Sequence, residues 1–426
     1  MNIIVYPPKS EWKELTSRPS LNIEMLFNTV DEVLNHVKSE GDNAVKAYEA
    51  KFDKVDLKTL VVTEDEIREA ESLVSNQLKE AIALAASNIR TFHESELFES
   101  KTVETQKGVV CWQKAIPIEK VGLYIPGGTA PLFSTVLMLA IPAKIAGCKE
   151  IVLCTPPNKE GKVNPAILFA AKVAGVNHIF KAGGVQAIGA MALGTESIPK
   201  VDKIFGPGNQ YVQAAKQRVA LRDVAIDMPA GPSEVAIIAD ETSNPAYIAA
   251  DLLSQAEHGA DSQVMLISIS KELLENTVEE VDRQLTTLPR KEIALKALKN
   301  SKFVLVHDYD EAMELSNEYA PEHLILSTKN YMALAEKVMN AGSVFLGPLS
   351  MESAGDYASG TNHTLPTKGW AKAYNGVNLD SFIRKVTFQK INAEGLKKIG
   401  PAIEVMADNE QLEAHKNAVS IRLKDL

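Results

Sequence analysis

The sequence predicts an α/β fold built on two open, doubly wound parallel sheets, with small helical extensions at both ends. Two series of short apolar runs and the chain length carry this prediction. The first series falls at residues 121–125, 151–154, 178–180, 203–205 and 224–226. The second falls at 235–238, 264–269, 303–306, 324–326 and 344–346. Amphipathic, often alanine-rich segments separate most of the runs, which is the alternation of βαβ units with helices on both faces of a sheet. A chain of 426 residues is too long for one ordinary core, so the two series read as two domains.

In chain order, residues 1–25 form an N-terminal extension. The next stretch is helical and charged: Thr63 followed by Glu64-Asp65-Glu66 is a capping-box start, and helical periodicity runs on towards Phe92. Gly127-Gly128 and Pro229-Ala230-Gly231-Pro232 are the joints between domains. The division expected is a discontinuous larger domain (26–125 with 236–372), a second domain on the cofactor side (126–235) and a helical appendage (373–426). Past Ala373 the β/α rhythm stops, and what remains is too short to bury a large core alone.

Bulk properties exclude several classes. With 45% apolar and 23% charged residues the composition is that of an ordinary globular protein. A net charge of −10 argues against a general nucleic-acid binder. The N-terminus lacks the features of a signal peptide. The most apolar stretch, 131–146, is interrupted by Pro142 and Lys144 and is too short to span a bilayer. A cytoplasmic, non-membrane protein is expected. Three cysteines without a CxxC pair fit reduced thiols; Cys148 and Cys154 flank the run Ile151-Val152-Leu153 as core residues, without an adjacent base to make a nucleophile.

Four stretches bring together residue types that could carry chemistry. In Asn244–Gly259 the asparagine suits an N-cap, Pro245 the first helical position and Gly259 the C-terminal cap. Ile248, Leu252 and Gln255 then share the buried stripe, with His258 a neighbour of Gln255. Either a hydrogen-bonded pair or a metal would satisfy this amide and imidazole. In Tyr319–Leu324, Pro321 ends a helix and a strand begins at Leu324; between them Glu322 and His323 are either an incidental surface ion pair or a carboxylate–imidazole pair for proton transfer. The polar stretch 353–367 is either a functional loop or a solvated linker, offering Asp356 and His363. Glu410 and His415 in the appendage are either exposed helix face or site residues. These stretches hold four of the eight histidines, a concentration that favours a metal site.

Gly127-Gly128, Gly183-Gly184 and Gly206-Pro207-Gly208-Asn209 each follow a strand end, where doubly wound sheets bind ligands. None is a dinucleotide fingerprint, since Tyr211 stands at the third glycine position, and no phosphate loop of the GxxxxGK[ST] type occurs.

Seven ordered strings resemble the histidinol dehydrogenase family: VGLYIPGG from Val121, FGPGN from Phe205, DMPAGPSE from Asp227, DLLSQAEHG from Asp251, PEHL from Pro321, SAGDYASGTNH from Ser353 and AHKNAV from Ala414. The resemblance runs from about residue 20 to the C-terminus. It implies incomplete Rossmann-like domains and two NAD-dependent oxidations of L-histidinol to L-histidine, with one zinc ion per subunit. The implied zinc ligands are Gln255, His258, Asp356 and His415. By the family pattern His415 reaches the metal of the partner subunit in a homodimer, through an exchanged C-terminal appendage. The implied substrate contacts are Ser233, Gln255, His258, His323, Asp356, Glu410 and His415, with His363 close by. Tyr124, Gln186 and Asn209 would touch the cofactor. His323 is the implied general base and Glu322 the activator of water. A zinc hydrolase using Glu322 and a non-catalytic binding protein are the competing classes. One point resists the sequence: Pro321-Glu322-His323 precedes a strand, whereas open sheets bind ligands at strand carboxyl ends.

Overall fold

The computed structural model describes residues 3–18, 23–127 and 131–426. Residues 1–2 and 19–22 of the expected N-terminal extension and Gly128 of the expected joint lie outside these. All ten expected strands form, in two parallel sheets. The first contains β1 (Ile3–Val5), β9 (Glu234–Ala239), β10 (Gln263–Ser268), β11 (Lys302–Leu305), β12 (His323–Ser327) and β13 (Ser343–Leu346), in the order β1-β11-β10-β9-β12-β13. The second contains β4 (Lys120–Tyr124), β5 (Glu150–Thr155), β6 (His178–Lys181), β7 (Lys203–Phe205) and β8 (Ala225–Ile226), in the order β6-β5-β4-β7-β8. Setting β1 aside, both wind outward from their first strand in the same way, so each has a switch point, beside β9 and beside β4.

β1, which lies in the N-terminal extension expected to be helical, and the remaining strands were not foreseen. β2 (Thr102–Gln106), β3 (Val109–Pro117) and β14 (Ile383–Ile391) form an antiparallel sheet in the order β14-β3-β2. The appendage is therefore not purely helical: β14 ties it to the body, and Phe388 stacks on Trp112 with ring centroids 5.4 Å apart. β14 is largely exposed and rich in charge, so it lacks the continuous apolar run that marks a buried parallel strand. Beyond it the helices Ala393–Asn409 and Glu413–Lys424 pack on each other, and the second buries no residue.

The expected grouping of 26–125 with 236–372 is also corrected. Val30, Val33 and Val37 of the helix Phe27–Glu40 pack with Val152, Ile188 and Ile204 on one face of the second sheet. Ile82 and Ile89 of the helix Asn76–Glu94 pack with Leu137, Ile141 and Leu153 on the other. An amphipathic stripe requires an apolar face but does not say which sheet supplies it. β4 belongs to the second sheet too, so Gly127 is a turn within that sheet, and 229–232 is where the chain crosses to the other. The capping box forms between Thr63 and Glu66, but its helix ends at Leu73, and Ser75 caps a second helix. The first sheet is covered by Ile248, Leu252 and Leu274 on one face and by Met313, Leu315 and Tyr319 on the other.

The turn after β7 is held from inside the second domain. Gly206 has φ +127°, and a Cβ there would stand 2.1 Å from the Tyr124 carbonyl oxygen, so only glycine fits. Its amide donates to Asp227 Oδ2 and its carbonyl accepts from Lys216 Nζ, each at 2.8 Å. Lys216 and Asp227 form an ion pair at 2.5 Å, both nearly without solvent exposure. Removing one member leaves a buried charge uncompensated, so Lys216→Met should lower unfolding stability by about 3–5 kcal/mol in urea titration. An unchanged midpoint would contradict this role.

Candidate active site

The chain folds a cleft where the two sheets meet, and the sheets present opposite ends to it. The second sheet contributes segments that follow its strands: Gly206 to Asn209 after β7, and Asp227 and Met228 after β8. The first contributes segments that precede its strands: Ser233 before β9, Ser262 before β10 and Glu322 before β12. The cleft, of about 460 Å³, is completed by His258, His363 and Lys368. The amino-terminal position of Glu322-His323 is thus how that segment reaches the cleft.

Pro245–Ala256 is a helix with Asn244 as N-cap, accepting from the Ala246 amide at 2.9 Å. It ends at Ala256, three residues short of the expected glycine cap, and His258 lies in the turn beyond, exposed to the cleft. Gln255 projects from the buried face as its stripe predicts and is 1% exposed. Its Nε2 donates to Glu322 Oε2 at 3.4 Å, which leaves Oε1 without a partner. Asp356 does not lie in an irregular loop: Glu352–Tyr357 is a short helix. That turn places Glu352, which the sequence reading passed over, one helical turn before Asp356 on the same face. Its signal was this i, i+4 pair of carboxylates.

Glu322 and His323 are both buried, with His323 Nδ1 3.7 Å from Glu322 Oε2 and Nε2 3.8 Å from Asp356 Oδ1. The Glu322 carbonyl accepts from Ser343 N at 2.9 Å, and Gly342 passes so close that a Cβ would stand 2.5 Å from the same oxygen. His323 Nδ1 faces the Glu234 carbonyl at 3.1 Å, a contact that requires the proton on Nδ1 and leaves Nε2 as the basic nitrogen. Nε2 has no hydrogen-bond partner. Burial pushes the His323 pKa down to about 3, with His258 and His363 adding to the effect, so the ring is neutral. His363 bonds the Asp356 carbonyl at 2.9 Å and Thr135 Oγ1 at 3.0 Å, and burial brings it down to about 4.

Carboxyls crowd the same space. Burial raises Asp356 to about 7. It holds Glu322 and Glu352 well above the usual carboxylate range, and neighbouring acidic charge adds to both. Both Glu352 oxygens lack a partner. One donor atom each from His258, Glu352 and Asp356 lies within 4.8 Å of the others. Desolvation and the Arg290 charge keep His258 below the usual histidine range, in the neutral form a metal needs. An unpartnered amide oxygen, a neutral imidazole and carboxyls without a countercharge are a hard-to-borderline N/O donor set, so these residues fit a divalent cation such as zinc.

Of the other expected residues, Ser233 and Asn209 line the cleft. Asn209 Oδ1 also caps the helix Gln210–Ala220. Tyr124 and Gln186 are buried just behind the turns: the Tyr124 hydroxyl accepts from the Gly184 amide at 3.1 Å, and Gln186 Nε2 donates to Glu49 Oε1 at 2.8 Å. Glu49, fully buried and unremarked in the sequence, also accepts from Gly183 N at 2.8 Å. Burial raises its carboxyl to about 7. The chain does not bring Glu410 and His415 into this cleft; both are exposed on the C-terminal helix pair. Cys148 and Cys154 are buried, and burial pushes the Cys148 thiol up to about 12 and Cys154 higher still, so neither offers a thiolate.

Comparison with known proteins places the chain in a family. The family model of histidinol dehydrogenase matches residues 16–423. The chain is 68% identical to the histidinol dehydrogenase of Bacteroides thetaiotaomicron over 426 residues, covering 100% of both chains. It is 53% identical to the chloroplastic histidinol dehydrogenase of Arabidopsis thaliana, over 98% of this chain and 90% of the other. The crystal structure of histidinol dehydrogenase from Elizabethkingia anophelis superposes with a TM-score of 0.98 at 57% identity, over 100% of this chain and 98% of that one. This chain belongs to the histidinol dehydrogenase family.

Proposed function

We propose that this oxidoreductase converts L-histidinol through L-histidinaldehyde to L-histidine in two successive NAD-dependent oxidations, the last steps of histidine biosynthesis. The observation that carries the reading is the buried Nε2 of His323, which has no hydrogen-bond partner and faces Asp356 beside the donor set of Gln255 and His258. Gln255 Oε1, His258 and Asp356 would hold a zinc ion, with Glu352 beside them. Bound zinc supplies an electrostatic hold on the imidazole and amine nitrogens of the substrate, and bound NAD accepts hydride. Tyr124, Gln186 and Asn209 would border the cofactor. Asn209 alone of the three reaches the cleft, so contact by Tyr124 and Gln186 requires the turns in front of them to adjust.

The chain's own residues account for the proton movements. His323 Nε2 takes the hydroxyl proton of histidinol as hydride leaves the carbinol carbon, giving the aldehyde. Glu322, whose proton affinity burial raises, takes a proton from water as it adds to the aldehyde, while His323 returns its proton to the aldehyde oxygen, which gives the hydrate and frees Nε2 again. His323 then takes a hydroxyl proton from the hydrate as the second hydride departs, giving the carboxylic acid. Ser233 and His363 line the pocket around the substrate.

The fourth zinc ligand, His415, and the substrate contact Glu410 would come from the partner subunit. Exposed Val405, Met406, Leu412 and Ile421 on the C-terminal helix pair support a partner, since such apolar surface on a projecting element favours burial against a second copy. We infer a homodimer with shared sites in the cytoplasm. Among the described residues no helix is long and apolar enough to cross a membrane.

In a metal-replete assay, reduced-cofactor absorbance should rise by two equivalents per histidinol and vanish with a chelator. One equivalent, or activity indifferent to chelation, would overturn the reading, and hydrolysis without cofactor reduction would favour a zinc hydrolase. His323→Asn should depress both oxidations by about 100-fold or more. Glu322→Gln should slow mainly the aldehyde step. Equal losses in both steps would remove Glu322 from the role of water activator.

A further inference from the structure

Every polar group of Glu234, the first residue of β9, is engaged. Its amide donates to Glu322 Oε2 at 2.8 Å, and its carbonyl accepts from His323 Nδ1 at 3.1 Å. One peptide neighbourhood therefore touches both members of the acid–base pair. The side chain is fixed just as fully. Oε1 accepts from Arg18 Nε at 2.9 Å and from the Lys368 amide at 2.8 Å, and Oε2 accepts from Arg18 Nη2 at 2.9 Å. The two Arg18 bonds make a bidentate fork, the geometry that fixes a carboxylate in direction as well as distance.

Arg18 is itself held in place. Its guanidinium lies over the Tyr319 ring at 3.9 Å and donates to the Tyr319 carbonyl at 2.5 Å. The Tyr319 hydroxyl donates to Gln263 Oε1 at 2.9 Å, at the start of β10. Glu234 is 1% exposed, so the fork works with little competition from water. Tyr319 ends the helix that leads, through Ala320 in the left-handed region at φ +50°, directly into Pro321-Glu322-His323. Arg18 thus grips the pair from two directions: through Glu234 across the sheet, and through Tyr319 along the chain.

We propose that Arg18 and Glu234 are positioning residues for Glu322 and His323. The Arg18 fork orients Glu234, and the Glu234 backbone holds His323 as the Nδ1-protonated tautomer, with Nε2 facing Asp356. A bare structural staple would fix the fold without selecting a tautomer; here the carbonyl in front of Nδ1 can only accept, so its placement decides which ring nitrogen is basic. The proposal rests on the reading of His323 as the general base.

The test uses full-length, metal-loaded protein carrying 15N-labelled histidine, with the His323 signals assigned by their loss in His323→Asn. Wild type should show His323 as the neutral Nδ1–H tautomer. Arg18→Gln should show mixed tautomers, with kcat for both oxidations reduced by up to about 100-fold and KM for histidinol nearly unchanged. Arg18→Lys, which keeps the charge but not the fork, should fall between. If Arg18→Gln does not fold, Glu234→Gln serves in its place, with the same expected tautomer mixing and kcat loss. Wild-type kcat in the folded variants, or a kcat loss with the tautomer unchanged, overturns the proposal. If His323→Asn keeps wild-type turnover, the base assignment fails instead, while the ring-nitrogen signals still report whether Arg18 sets the tautomer.

Discussion

Three carboxyl groups, Glu322, Glu352 and Asp356, are withdrawn from water around one small volume, and the rest of the site follows from that constraint. Among the ion pairs of the described residues, none joins these groups to a lysine or arginine; the basic side chain paired with Glu322 and Asp356 is His323, at 3.7 and 3.8 Å. Taking even one carboxylate out of water is expensive, and a cluster cannot all ionise without a countercharge. The unpartnered oxygens of Gln255 and Glu352 point to the same deficit. A divalent cation held by Gln255, His258 and Asp356, as proposed, would resolve it, and would explain why a glutamine stands on a buried helical stripe otherwise made of Ile248 and Leu252. The neutral His258, His323 and His363 fit this account, because protonated rings would not bind a metal or accept a proton.

The two sheets meet the cleft with opposite ends because each does a different task. Segments following β7 and β8 form one wall, where an open sheet is expected to take its ligand. The residues proposed to move protons stand at the amino-terminal end of β12, Glu322 just before it and His323 as its first residue. Two of the helix starts that follow the strands of the second sheet have partners within the chain: Glu49 takes the Gly183 amide and the Gln186 side chain after β6, and Asn209 caps the helix Gln210–Ala220 after β7.

Much of this was legible in the sequence, for local reasons. Ten of the eleven strands described in the two parallel sheets announced themselves as apolar runs, β1 being the exception, and Asn244-Pro245 marked a helix start whose stripe placed Gln255 inward. What escaped depended on long-range packing. The helices between residues 27 and 94 carry apolar stripes that fit either sheet, and they cover the second, not the first. β14 escaped because its side chains are mostly exposed, and Glu352 because 353–367 read as irregular polypeptide when it opens with the end of a short helix. Arg18 and Glu234 lie 216 positions apart in the chain, so nothing local links them. Glu410 and His415 show the opposite case: the strings around them resemble the family closely, yet a single copy leaves them exposed and away from the cleft.

The central claim is that one cation, bound only by nitrogen and oxygen donors from two copies of the chain, balances the buried carboxyls. X-ray absorption at the zinc edge of the loaded protein tests it most directly. The account predicts a shell without sulfur and with two imidazoles, falling to one when His415 is replaced by alanine. Sulfur scattering, or an imidazole count that ignores His415, would contradict it.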